Sequence, residues 1–223
     1  MYLYLFYFLF FFVALLILLF YNFAFNKDVD KFMIHNVKAD QLETGDIILI
    51  DFQNINNILI TSLFKENFMH PAIILREGDK ISVIDYISRK GLLKRSLQDW
   101  VGYNNESIYA VNKLECSKEE REKLTIRLSH LYQFYKTKLN QGPKGFNWSW
   151  RRFWWPSKHY HDPNLKDSVC LELVAYFLIQ MGIIKKNRSV ESYLPRDFVN
   201  MQGFSTYRPF KFKEFNLVNS IIF

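Results

Sequence analysis

The sequence predicts an α+β domain preceded by a single membrane-spanning helix. Residues 2–26 contain no Asp, Glu, Lys, Arg or His, and the chain after them combines short apolar runs with two helical patterns. With 8 Gly, 6 Pro and 2 Cys, the composition excludes a collagenous or disordered chain and a disulfide-stapled miniprotein. The formal charge of +7 therefore falls entirely on the remaining residues, whose number is typical of one domain.

Residues 1–26 are predicted to form a membrane anchor. As a helix this segment would measure roughly 37 Å, whereas a hydrocarbon core is about 30 Å thick. A cleaved signal peptide is the alternative, and it requires a basic start, a shorter apolar stretch and a small-residue cleavage site. No Lys or Arg precedes the run, and its exit offers only Ala24. We therefore expect an uncleaved, single-pass helix that binds the lipid bilayer.

Residues 27–40 are polar and charged, and they are predicted to form a juxtamembrane linker. The nearest lysines all follow the apolar segment: Lys27, Lys31 and Lys38. By the positive-inside rule, this favours a domain on the cytosolic side of the membrane. The basic excess favours anionic lipid headgroups as a further partner. Nucleic acid is not expected, because the Lys and Arg residues are scattered and no nucleic-acid motif is present.

The domain itself is predicted over residues 41–223, with its strands first. Four short apolar runs bounded by turn residues are typical of strands, and they cover residues 47–50, 71–75, 81–87 and 108–111. We expect them to form a sheet in the N-terminal half of the domain, with helices after it.

Two helices are predicted after these strands. The first begins at Ser117, and Glu120 three residues later completes a capping-box pattern, which satisfies free N–H groups at a helix start. Its apolar residues keep helical spacing until Gly142 and Pro143 end it. The second helix runs over residues 169–180 and ends at Gly182.

Cys170 is the first candidate for chemistry. With Asp167 or Ser168 as the N-cap, it falls in the first turn of the second helix, where the helix dipole and free N–H groups favour the reactive thiolate. The alternative is that this cysteine is buried as a small hydrophobic residue.

His70 and Asp85 are candidates because they lie in two strands that would form a hairpin. If Arg76 pairs with Asp79 or with Ile81, the His70 and Asp85 side chains lie on one face of the hairpin within cross-strand reach. A three-residue loop would place them on opposite faces. A buried Asp needs a partner, and a histidine supplies one. The pair has the form of the second half of a Cys–His–acid triad, in which the carboxylate orients the imidazole and the imidazole takes the thiol proton.

Four segments in this order resemble a known family. Residues 42–48, 70–74, 83–85 and 170–174 are similar to the permuted papain-like (YaeF/YiiX-type) amidases, a circularly permuted branch of the NlpC-like cysteine peptidase superfamily. Poxvirus and lecithin retinol acyltransferase-like proteins are relatives in this branch. Its His strand precedes its Cys helix, and the order in this chain is the same.

The resemblance implies a circularly permuted papain-like domain with an antiparallel sheet and packed helices. Cys170 would then be the nucleophile, His70 the general base and Asp85 the orienting residue, where relatives often have Glu. The implied reaction is hydrolysis of an amide, with a peptide substrate, through an acyl-enzyme. The alternatives are hydrolysis or transfer of a lipid ester or thioester, and an inactive membrane-tethered binding or structural module. The sequence departs from the relatives at Leu171, where a small polar residue is common.

An aromatic insertion over residues 148–155 is the second departure. Its Trp and Arg residues suit a bilayer headgroup region or a lid beside the thiol, and the alternative is that they cover the core. His159, His161 and Asp162 follow it but lack a further ligand pattern, so we expect neither a metal nor a cofactor.

Overall fold

The structure is a computed structural model. It describes residues 7, 9–13, 34–51, 70–87, 90–104, 108–140, 170–201, 204–213 and 216–223. Residue 7 and residues 9–13 are helical and exposed, and the rest of the predicted anchor lies outside the described residues. Within the described ranges, no helix is both long and apolar enough to cross a membrane. The aromatic insertion at 148–155 and the residues His159, His161 and Asp162 also lie outside the described part of the chain.

The fold is built around one large, mainly antiparallel sheet. The described strands are β1 (Ile34–Lys38), β2 (Ile47–Asp51), β3 (His70–Glu77), β4 (Lys80–Ile87), β5 (Gly91–Ser96), β6 (Ile108–Asn112), β7 (Leu114–Glu115), β8 (Lys211–Phe212) and β9 (Asn216–Ile222). Seven of them form the sheet in the order β1-β9-β6-β2-β3-β4-β5, while β7 and β8 pair with each other. The β1–β9 pair is parallel, and every other pair in the sheet is antiparallel. The α+β prediction with an antiparallel sheet and its four predicted strands is confirmed.

Helices cover both faces of this sheet. The described α-helices are α1 (Leu97–Tyr103), α2 (Lys118–Lys136), α3 (Cys170–Gln180) and α4 (Pro195–Asn200). Side chains of a strand alternate between faces, so Ile47 and Leu49 belong to the core that contains α2 and α3, and Ile48 and Ile50 belong to the core that contains α1. These residues are at most 1% exposed, which explains why the strand is apolar on both faces.

Both predicted helices are present, but the first of them ends earlier than predicted. The Ser117 hydroxyl accepts a hydrogen bond from the Glu120 N–H at 3.2 Å, as the capping pattern predicts for the start of α2. α2 ends at Lys136 rather than at Gly142, and residues 137–140 form turns and a bend. α3 ends before Gly182, whose φ of +77° ends the helix in a conformation that favours glycine.

The order of elements differs from the prediction in three places. α1 lies between β5 and β6, and β9 follows the helices, so the expected separation into a strand half and a helix half is wrong. β1 falls in the predicted linker at residues 27–40, and the sheet therefore begins within that segment. The physical reason is that β9 pairs with β1 on one side and β6 on the other, a long-range pairing that no local sequence pattern specifies.

Candidate active site

The β3–β4 hairpin brings two of the predicted site residues to one face of the sheet. Arg76 pairs with Ile81, which is one of the two even registers that the sequence allowed. The turn is made by Gly78, whose φ of +62° suits a tight hairpin, and by Asp79. In this register His70 is a diagonal rather than a direct neighbour of Asp85.

His70 and Asp85 form a short, buried contact. The His70 Nε2 atom lies 2.5 Å from the Asp85 Oδ1 atom, and the two side chains are 11% and 2% exposed. A carboxylate can only accept hydrogen bonds, so Nε2 of His70 carries the hydrogen of this contact. The second ring nitrogen, Nδ1, is therefore the one that can act as a base in the neutral ring.

The other oxygen of Asp85 has two donors that the sequence analysis missed. The Arg95 Nη2 atom lies 2.7 Å from Asp85 Oδ2, and the Trp100 Nε1 atom lies 3.0 Å from the same oxygen. Arg95 is on β5, and Trp100 is on the short helix α1 that follows it. One signal for this helix was in the sequence: Ser96 is its N-cap and accepts from the Asp99 N–H at 3.0 Å.

Cys170 is the first residue of α3, and it contacts His70. Its thiol is free and partly exposed, and it borders the core that contains α3. Cys170 lies close enough to His70 that its charge and a side-chain hydrogen bond both raise the pKa of the ring. Trp100, the neighbour of Asp85, lies in the other core. His70 therefore lies between Cys170, which borders the core with α3, and Asp85, whose neighbour Trp100 belongs to the core with α1. The structure brings the three predicted site residues together.

The contacts of this cluster alter the pKa values of His70 and Asp85. Burial, the largest influence on His70, lowers its pKa, but the charges of Asp85 and Cys170 and their hydrogen bonds outweigh it, so the pKa lies well above its ordinary value of 6.5. Burial raises the pKa of Asp85, but His70, Trp100 and Arg95 together bring it below its ordinary value. These contacts therefore favour the protonated form of the His70 ring.

Cys116 is the other described cysteine, and its surroundings are different. It is a free, partly exposed thiol just before α2. Burial is the main reason that its pKa is raised, and the nearby carboxylates of Asp46, Glu120 and Glu43 add to the rise against the effect of Arg121. A raised pKa keeps a thiol in its less reactive form, so Cys116 is a natural internal control for Cys170.

The described residues contain no group of three or more His, Cys, Asp or Glu side chains arranged to hold a metal ion. Cys170, His70 and Asp85 place a thiol, an imidazole and a carboxylate next to one another. Neighbouring groups of these three kinds can activate a thiol as a nucleophile.

No protein-family model matches the chain, and no curated protein matches it. Among solved structures, the chain is similar to metalloprotein yiiX from Escherichia coli O157:H7, DUF1105, with a TM-score of 0.45 and 20% sequence identity. The similarity covers 62% of this chain and 65% of that one, so the chain spans just under two thirds of the length of that protein.

Proposed function

We propose that the chain is a cysteine hydrolase of the permuted papain-like type. In this proposal Cys170 is the nucleophile, His70 is the general base and acid, and Asp85 orients the His70 ring. The observation that carries it is that His70 contacts both other residues, with Asp85 Oδ1 at 2.5 Å from Nε2 and Cys170 as its second side-chain partner. The order of the chain, with the His strand before the Cys helix, agrees with the motifs that the sequence shares with this type.

The reaction follows from the placement of these groups. Because Nε2 of His70 is engaged by Asp85, Nδ1 takes the proton of the Cys170 thiol, and a protonated imidazole beside a thiolate is a stable ion pair. The thiolate attacks the carbonyl carbon of the substrate, and the oxyanion that forms is stabilised by free N–H groups at the start of α3. Collapse of this intermediate expels an amine, which takes the proton from His70 and leaves a thioester on Cys170. Water, deprotonated by His70, then releases the acid and the thiol.

The bond proposed as the target is an amide in a peptide substrate. Hydrolysis or transfer of a lipid ester or thioester uses the same nucleophile and base, and a parallel screen of the three substrate classes separates these chemistries. An inactive binding module would not need an accessible thiol. The partial exposure of Cys170 and its contact with His70 therefore favour the enzyme.

The proposed enzyme is tethered to a membrane through residues 1–26, with its domain on the cytosolic side and anionic lipid headgroups as neighbours. This part rests on the charge-free composition of residues 2–26 and on the lysines that follow. Membrane extraction at alkaline pH tests the tether, because an integral protein stays with the lipid pellet. Protease treatment of sealed vesicles tests the orientation, because a cytosolic domain is digested only in vesicles that expose that side.

The test of the nucleophile is labelling of the full chain with an electrophilic acyl-type thiol probe. We expect the wild type and Cys116→Ser to be labelled, and Cys170→Ser not to be. Equal labelling of the wild type and Cys170→Ser would refute the assignment. Replacement of His70 or Asp85 by Ala should slow labelling, and unchanged rates in both variants would show that the triad is wrong.

The test of the substrate class is a parallel screen of peptide amides, acyl esters and acyl thioesters with the same preparations. We expect an acyl adduct on Cys170, detected by mass spectrometry, and turnover of the amide set that is lost in Cys170→Ser. Turnover confined to the esters or thioesters would replace the amide proposal with the lipid alternative. Labelling of Cys170 with no turnover of any class would favour the binding module.

A further inference from the structure

The Asp85 carboxylate bonds to two side chains besides His70. Its Oδ1 atom faces His70, while its Oδ2 atom accepts from Arg95 at 2.7 Å and from Trp100 at 3.0 Å. The Asp85 side chain is 2% exposed, so it has almost no contact with bulk solvent. A buried carboxylate held at one oxygen alone could rotate about its side-chain bonds, whereas donors at both oxygens fix its plane.

The two donors to Asp85 are themselves held in place by α1 and its surroundings. Trp100 is fully buried, and the Asn104 side chain donates to its backbone carbonyl at 2.7 Å. The guanidinium carbon of Arg95 lies 4.8 Å from the centre of the Tyr103 ring, a distance typical of a cation–π contact. Both donors therefore reach Asp85 from a rigid support rather than from a loop.

We propose that Arg95 and Trp100 are positioning residues of the hydrolase site, which keep Asp85 Oδ1 aimed at His70 Nε2. This inference rests on the proposed function, since it assigns the two residues a part in that reaction. Neither residue acts on the substrate. They act through Asp85, and loss of either leaves the carboxylate free to turn away from the His70 ring.

The Arg95 side chain is also accessible to solvent. It is 19% exposed and borders a cavity of about 830 Å³, which Lys94 on the same strand also lines. Removal of the Arg95 side chain would therefore leave a space that a small guanidinium compound can enter from solvent. Lys94 offers a matched control, because its ammonium group bonds to Glu77 at 2.5 Å rather than to Asp85.

The first test measures the protonation of Asp85 without any catalysis. In the full chain with Cys170→Ala, the carboxyl carbon of Asp85 is titrated by NMR in detergent micelles. The groups that face Asp85 are His70 from β3, Arg95 from β5 and the non-titrating indole of Trp100 from α1. Loss of a donor to the carboxylate raises its pKa, so we expect a rise in Arg95→Ala and in Trp100→Phe, and no change in Lys94→Ala. An Asp85 pKa unchanged in both donor variants would overturn the proposal.

The second test measures the reaction. We expect Arg95→Ala and Trp100→Phe to lower kcat about tenfold with KM unchanged, as for one lost hydrogen bond to a charged group, and to move the acid limb of the pH profile upward. Methylguanidinium in the buffer should restore Arg95→Ala and have no effect on Trp100→Phe. A purely structural role would lower the melting temperature and leave the acid limb in place, and that result would overturn the proposal.

The two tests fail in different ways. If the wild type forms no acyl adduct on Cys170, the proposed function is wrong, while the NMR titration still shows whether Arg95 and Trp100 control Asp85. If the adduct forms but Arg95→Ala, Trp100→Phe and Lys94→Ala all behave as the wild type does, the function stands and the positioning role is wrong.

Discussion

His70 and Asp85 are diagonal neighbours on adjacent strands, yet their side chains meet at 2.5 Å. The imidazole ring is long enough to reach across this diagonal, and the twist of paired strands brings such side chains closer together. A one-residue shift of the β3–β4 register would turn Asp85 to the other face. The register, which the two-residue turn sets, is therefore a determinant of the proposed site.

Replacement of Asp85 by Asn should lower the pKa of His70. Burial by itself lowers this pKa. The Asp85 charge is the largest contribution that raises it above 6.5, and the Cys170 charge and the hydrogen bonds to Asp85 and Cys170 add to it. The measurement is a titration of the His70 ring by NMR, with Glu77→Gln as the control because Glu77 is an exposed carboxylate. An unchanged His70 pKa in Asp85→Asn would contradict this role of Asp85.

Stability should fall on the alkaline side because of His70. Its pKa is raised above 6.5 in the folded protein, so its contribution is fully present below that pH and is lost as the pH rises through the folded value. Urea unfolding of the full chain in micelles from about pH 5 to 10 measures this, and His70→Gln should lack the corresponding decline. Parallel pH curves for the wild type and this variant would contradict the prediction.

The contribution of Asp85 to stability has the opposite pH dependence to that of His70. The pKa of Asp85 lies below the ordinary value of 3.8, so its contribution is present above that pH and is lost as the pH falls through the lowered folded value. Acid unfolding of Asp85→Asn should therefore begin from a lower stability and show a shallower loss than that of the wild type. An equal loss in the variant and the wild type would show that other carboxylates dominate the acid unfolding.

Gly45→Ala should destabilise the protein more than Gly78→Ala. Both glycines have positive φ, +91° and +62°, so each substitution carries a conformational cost of about 1–2 kcal/mol. At Gly45 the added methyl would also lie 2.7 Å from Leu114 Cδ2, whereas at Gly78 nothing lies within 4 Å. We expect an additional cost of about 1–3 kcal/mol at Gly45, measured by urea unfolding. Equal costs would mean that Leu114 moves aside freely.

Ser117→Ala should lower the free energy of unfolding by about 1 kcal/mol, because the first turn of α2 loses an N-cap acceptor. Ser117 accepts from the Glu120 N–H at 3.2 Å. Ser117→Thr keeps the hydroxyl and serves as the matched control in the same unfolding experiment. If the Ala and Thr variants are equally stable, the cap contributes nothing measurable.

Local signals account for the parts of the fold that the sequence predicts well. The strands β2, β3, β4 and β6 are short apolar runs between turn residues, and α2 begins at a serine with a glutamate three residues later. The hairpin register could be narrowed to two choices because the turn is short, and side-chain alternation then left His70 and Asp85 on one face in both. These features depend only on residues close together in the chain.

The features of the fold and the site that the sequence did not predict depend on residues that are far apart in the chain or that follow no clear pattern. β5 and α1 carry Arg95 and Trp100, but the run from Gly91 to Ser96 neither alternates cleanly nor keeps helical spacing. Cys170 follows His70 by a hundred residues, and no periodicity specifies their contact. The sequence therefore predicted the acid–base pair from geometry, the thiol from its helix position and family resemblance, and the donors to Asp85 not at all.

The position of β9 between β1 and β6 has a consequence for the order of synthesis. β1 emerges soon after the predicted anchor, and among the described strands its sheet partner is β9, which is made after all the others. Until β9 appears, β1 is unpaired and β6 has an open edge. The β3–β4 hairpin with His70 and Asp85 lies two strands away from that edge, beyond β2. This hairpin can therefore form on the ribosome while the β1 side of the sheet is still incomplete.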